Sequence, residues 1–210
     1  MASLLADELR KAEDKPWEVL NAATNSWGPR NELAYLQQYG LFDTDTLVLV
    51  INTDDLYATK PISLVVGRSY SYPDKPPGLA LIELYQLYLA PPRQIPELEE
   101  LRNQRKQNLI DNLAAIREIK AIAAKSNIQF ILALTPLLSE LQTGSTPEET
   151  EARNKLQQLV AAEEIEYQDF LQIWSDFPQP ESLYRDRIHP SPQGNTKIID
   201  RLASIIVGQK

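Results

Sequence analysis

The run Thr-Leu-Val-Leu-Val-Ile at 46–51 constrains this chain more than any other feature. It is too short for a stable helix and does not alternate between polar and apolar. Such a run describes a strand buried on both faces, the kind found in parallel sheets with helices on either side. A second run, IQFILAL at 128–134, has the same character. Between them, Leu109, Leu113, Ile116 and Ile119 recur at helical spacing within a long helix predicted over 96–125. Strands that alternate with helices favour an α/β fold with a mostly parallel sheet.

The rest of the chain continues the alternation. Residues 3–11 read as a helix with Leu5, Leu9 and Ala12 on one stripe, and WEVLNAA at 17–23 reads as a strand. Gly28-Pro29 opens a helix that stops at Gly40. Residues 60–96 are irregular, rich in Pro and Tyr, with a helix over 79–89. Thr146-Pro147-Glu148-Glu149 is a capping box, and Leu156, Leu159 and Val160 line the inner face of the helix it starts. A short last strand covers 165–170. Ser191-Pro192 then caps a final helix whose buried stripe is Ile198, Ile199, Leu202, Ile205 and Ile206. No internal repeat or linker divides the 210 residues, so 1–210 reads as a single domain.

Composition narrows the function classes. The net charge of -8 argues against a nucleic-acid partner. No apolar run is long enough to span a bilayer. The opening MASLLADELRKAEDK shows no signal peptide, which leaves the compartment open, with the cytoplasm as the default. With no cysteine, disulfides, thiolate metal ligands and a cysteine nucleophile are excluded. One histidine and scattered carboxylates give no metal-ligand pattern, and no cofactor is implied.

Asp186-Arg187-Ile188-His189-Pro190 is the most informative stretch, and His189 is the only histidine. An imidazole is the usual base for a hydroxyl nucleophile. A carboxylate on its second ring nitrogen fixes the tautomer and stabilises the imidazolium. Asp186 is three residues earlier, within reach of that nitrogen through a turn. Taken alone, the same pattern also suits a solvated loop.

DRIHPSPQGN, after the last strand and before the last helix, resembles block V of the SGNH/GDSL hydrolases, where D-x-x-H-P supplies the triad Asp and His. VLNAATNSWGPRNELAYL resembles the family's second block, LVLVINTDDLYA its third, and IQFILALTP its fourth strand with a Thr-Pro exit. The resemblance implies a three-layer α/β/α sandwich, flavodoxin-like, with a parallel sheet. It also implies acyl or acetyl ester hydrolysis by a serine nucleophile, with His189 as base and Asp186 orienting it. The substrate would be a carbohydrate, lipid or small-molecule ester.

The departures matter equally. The first block, Gly-Asp-Ser on the first strand, is absent, and the chain opens directly on a helix. Ser3 and Ser191 read as helix caps. In the second block, Ser26 occupies the glycine position whose backbone N–H is the oxyanion donor. In the third, the family's oxyanion Asn falls on Asp54, whose carboxylate can only accept hydrogen bonds. A shift of two residues places Asn52 on the same strand face instead. An ordinary polar turn over 52–55 is the third alternative. Tyr70, Tyr72, Tyr85 and Tyr88 suit either a pocket lining or packing.

Two expectations follow. One is an N-terminally truncated serine hydrolase, inactive as this chain stands because its nucleophile is missing. The other is a non-catalytic binding or scaffolding protein on the same fold. In either, the missing first strand predicts a four-stranded sheet with a defect between 17–23 and 46–51.

Overall fold

The computed structural model describes residues 1–76 and 78–208. Its centre is β2 (Gln129–Thr135), in which six of seven residues are buried. β1 (Thr46–Asn52) pairs with one side of β2 in parallel, from Thr46 opposite Gln129 to Asn52 opposite Thr135. β3 (Glu166–Asp169) pairs in parallel with the other side, with Ile131 opposite Glu166. Side chains alternate across a strand, so the sheet has two apolar faces. Leu49, Ile51, Phe130, Leu132 and Leu134 pack against α2 (Pro29–Tyr39), α5 (Arg105–Lys125) and α7 (Pro147–Ala162). Val48, Val50, Ile131 and Ala133 pack against α1 (Ala2–Ala12), α8 (Phe170–Trp174) and α9 (Pro192–Gly208). The chain is thus an α/β protein with a parallel sheet covered on both faces, as the runs at 46–51 and 128–134 require.

Three expectations need correction. Residues 17–23 are not a strand. They run without regular structure along a groove beside β1, and among the described residues no backbone hydrogen bond joins them to it. A strand exists only through its ladder, and among the described residues no strand pairs with this segment. The sheet therefore has three strands among the described residues, not four. The helix expected over 96–125 breaks at Gln104 into α4 (Pro96–Asn103) and α5. There the Leu101 carbonyl accepts the Gln104 N–H and, at 2.9 Å, the side-chain amide of Asn108. In α1, Leu5 and Leu9 are buried as expected, but Ala6 joins them and Ala12 is exposed.

Of the caps read from sequence, those at Thr146 and Ser191 are present, whereas Ser3 lies inside α1, whose N-cap is Met1 with no side-chain cap bond. Thr146 and Glu149 exchange both capping bonds. Ser191 Oγ accepts the Gly194 N–H at the start of α9. The helix in the irregular segment, α3 (Ala80–Tyr88), buries none of its residues.

Candidate active site

The three parallel strands end on one edge, where a buried ionic cluster ties their exits together. Arg153 of α7 donates to Glu140 and to Asp169, both at 2.7 Å, and to Thr53 Oγ1 at 2.9 Å. Thr53 follows β1, and Asp169 ends β3. Glu140, in α6 (Leu138–Thr143), accepts the N–H of Leu137, which lies just past β2, at 2.7 Å. The three charged side chains are at most 7% exposed. Burial alone would push the Glu140 carboxyl up, but the Arg153 hydrogen bond and charge outweigh it and hold it below its usual range. Burial would likewise lower the Arg153 guanidinium, and Glu140 and Asp169 raise it instead.

A second clamp holds the segment after β1. Arg30 donates to the Ala58 carbonyl, Asn108 and Asp111, and Asn112 donates to the carbonyls of Leu56 and Ala58.

The loop over 184–190 is built on this edge. Tyr184 and Pro190 form an isolated antiparallel bridge, and the Arg185 N–H donates to the His189 carbonyl at 2.8 Å. The Leu138 N–H donates to the Arg187 carbonyl, and the Tyr184 hydroxyl donates to the Pro136 carbonyl, so the loop is pinned to the exit of β2. Gly194 is required there: a Cβ on it would lie 2.2 Å from the Leu183 carbonyl oxygen.

Within the loop, Asp186 Oδ1 accepts the N–H groups of Ile188 and His189 at 3.0 and 2.9 Å. Asp186 Oδ2 lies 2.8 Å from His189 Nδ1. These two N–H bonds, then the imidazole, hold the Asp186 carboxyl well below the usual carboxylate range. An ionised Asp186 accepts a proton-bearing Nδ1, which leaves the lone pair on Nε2. Among the described residues no group hydrogen-bonds Nε2, and the imidazole is half exposed.

Asn52 Oδ1 accepts the N–H groups of Asp54 and Asp55, capping the 3-10 turn at Thr53–Tyr57. Its amide nitrogen remains a donor without a partner among the described residues. Asp54 makes no side-chain hydrogen bond among them. Ser26 adopts a left-handed conformation, φ 64°, and its Oγ accepts the Tyr72 hydroxyl at 2.8 Å. A side chain is therefore tolerated at this turn, in a region that favours glycine. Gly28 seats the turn on the segment after β1: a Cβ on it would lie 2.4 Å from the Ala58 Cβ. Of the other tyrosines, Tyr70 lies under the Arg93 guanidinium, and Tyr85 and Tyr88 are exposed on α3.

Sequence reasoning missed two acids here. Asp55 accepts the Asn52 N–H at 2.8 Å. Burial first, and Asp54 as a smaller cause, push its carboxyl up to about 6, against the opposing pull of the Asn52 N–H and of His189. Burial, then the Asp55 charge, pushes Glu32 up to about 8. Glu32 Oε2 is buried without a hydrogen-bond partner among the described residues. Asp55 thus lies within electrostatic reach of both Glu32 and His189. A signal was present: Glu32 lies three and four residues before Tyr35 and Leu36, on the inward stripe of α2.

No family model matches this chain, and no curated protein matches it. Among the described residues no group of three His, Asp or Glu side chains is placed to hold a metal, and no helix is long and apolar enough to cross a membrane.

Proposed function

We propose that this chain carries the acid-base half of an ester hydrolase of the SGNH/GDSL type, and that it does not turn over esters by itself. The observation that carries the reading is the Asp186–His189 pair, 2.8 Å apart, with Nε2 left open at the edge where the strands end. In ester hydrolysis a hydroxyl oxygen attacks the acyl carbon while Nε2 takes its proton. That proton then passes to the leaving alkoxide, and water releases the acyl group by the same route. Asp186 holds the ring and balances the imidazolium. The Ser26 N–H and the Asn52 amide are the candidate donors to the oxyanion, and Asp54, which can only accept, is the weaker candidate. Substrates of the class are acylated carbohydrates, lipids and small esters. The flavodoxin-like sandwich belongs to the same reading, supported by a parallel sheet covered on both faces.

What is missing at the pair is a serine: among the described residues none donates to His189. A non-catalytic binding role on the same scaffold is the second reading, and that absence favours it. Two measurements test the proposal. Incubation with a short-chain aryl ester and a fluorophosphonate probe should give neither turnover nor a labelled serine. Nitrogen-15 shifts of the sole imidazole should show the proton on Nδ1, and Asp186→Asn should abolish that preference. A dominant Nε2–H tautomer in the native chain would remove the basis of the proposal. Turnover abolished by His189→Ala would reveal a nucleophile within these residues.

A further inference from the structure

The free edge of β1 faces a groove of about 690 Å³ whose opposite wall is the extended segment from Lys15 to Ala23. The Gln129 N–H donates to the Asp45 carbonyl, so Asp45 points toward β2. Strand alternation then turns the backbone N–H and C=O groups of Thr46, Val48 and Val50 toward the groove. Among the described residues no backbone hydrogen bond reaches them from the opposite wall. Leu9 and Leu202 line the groove from one helical layer, and Leu36 and Ile119 from the other. A space with apolar surfaces above and below and a ladder edge on one side fits one extended chain with apolar side chains on both faces.

The ends of the groove are charged unequally. Exposed Asp43 and Asp45 mark the end where β1 begins, and Glu32, with its unpartnered oxygen, lies toward the end where β1 finishes. Pairing continuous with the parallel β1–β2 ladder sets the direction of the guest, with its N-terminus beside Asp43 and Asp45. Basic residues at that terminus complement them. The edge of a second folded copy does not suit a space closed on both faces and walled by 15–23.

We infer that this groove is a strand-acceptor site, which takes an extended apolar peptide segment with basic residues at its N-terminal end as a parallel strand on β1. Binding orders the Lys15–Ala23 wall around the guest and closes the sheet.

The test uses the full chain and a synthetic peptide, Lys-Lys-Val-Leu-Val-Ile-Val, acetylated and amidated at its ends. Its affinity is read by calorimetry, and amide exchange of the chain is followed by NMR. At saturation the Val48 and Val50 amides should exchange about tenfold more slowly or better, since ladder bonding protects them. A peptide N-methylated at alternate residues, equally apolar but unable to complete the ladder, should bind about tenfold more weakly or worse. Leu20→Lys, at an exposed residue of the wall, should weaken binding without touching the core. His189→Ala should bind the peptide as well as the native chain, so that failure of this inference and failure of the ester-hydrolase reading give different results. Equal affinity of the two peptides, or equal protection of Val48 and Val50 by decanoate, would identify a slot for an acyl chain and overturn the inference. Protection that rises with protein concentration alone would identify a second copy and overturn it too.

Discussion

The two sides of β2 are stabilised in opposite ways. On the β3 side, the strand exits are joined by a buried ionic cluster in which Arg153 holds Glu140, Asp169 and Thr53 together. On the β1 side, the neighbouring segment at 15–23 lines a groove beside the strand edge, with Trp17 and Val19 packed on the core. Buried charge is tolerated where each partner is satisfied, and removing one member strands the others. The groove wall is held by partly buried apolar contacts of Trp17 and Val19 and by the Arg10 side chain, which donates to the Trp17 carbonyl at 2.7 Å. The rigid side carries the Asp186–His189 loop, and the loose side carries the open edge. Precision of the candidate site and capacity to accept a guest are thus separated across one strand.

The largest expected effect lies on the rigid side. Arg153→Met should cost about 3–5 kcal/mol, because it leaves two buried carboxylates without compensation. Urea unfolding monitored through tryptophan fluorescence measures this. A loss below 1 kcal/mol would erase the contrast between the two sides.

The next effect sharpens the contrast through pH. Glu32 and Asp55 titrate in the folded chain near 8 and 6, above their ordinary values. The folded state therefore holds protons that the unfolded state has released. Stability falls as pH rises from the ordinary carboxylate range through 6 and 8, and levels off above. Asp186 acts in the opposite sense: its depressed carboxyl contributes stability at neutral pH that is lost as pH falls below the ordinary carboxylate range. Glu32→Gln should remove most of the alkaline decline, with a clear gain in stability at pH 9 and almost none at pH 4. Melting curves at the two pH values give the answer, and an equal shift at both would show that Glu32 is not the titrating group.

The smallest effect is on the loose wall. Val19→Ala should cost less than about 1 kcal/mol, since Val19 is only partly buried against the core. A cost comparable with that of Arg153→Met would mean that residues 15–23 are as firmly held as the exits of β2 and β3.

These contrasts also explain what was legible in the sequence. Residues 46–51 and 128–134 announce themselves because a strand buried on both faces needs an uninterrupted apolar run. Residues 17–23 carry a strand-like composition, but a ladder is made by a distant strand, and local pattern does not reveal that among the described residues no strand pairs with them. The break at Gln104 escapes the helical period, because Leu109 to Ile119 keep their spacing on one side of it. His189 and Asp186 were readable because the histidine is unique and a three-residue offset suits a turn. Arg153, Glu140, Asp55 and Glu32 were not singled out, because a charged residue on a helix or turn ordinarily faces water. Arg153 and Glu32 nevertheless sit on inward stripes, three residues before Leu156 and four before Leu36. A charge in register with the apolar face was the available clue.

The exposed helix α3 has a consequence for how copies of this chain share a solution. From Leu79 to Leu89 the segment carries one charge, Glu83, and leaves Leu81, Leu84, Tyr88 and Leu89 more than half exposed. It sits on a molecule of net charge -8. Colloidal behaviour is then a contest between a long-range repulsion and a short-range adhesive patch. At about 0.01 M salt the repulsion extends roughly 30 Å, beyond the reach of the patch, and at 1 M it shrinks to about 3 Å. Light scattering should accordingly show pair interactions turning from repulsive to attractive as salt is raised, with α3 as the sticky point of an otherwise self-avoiding particle.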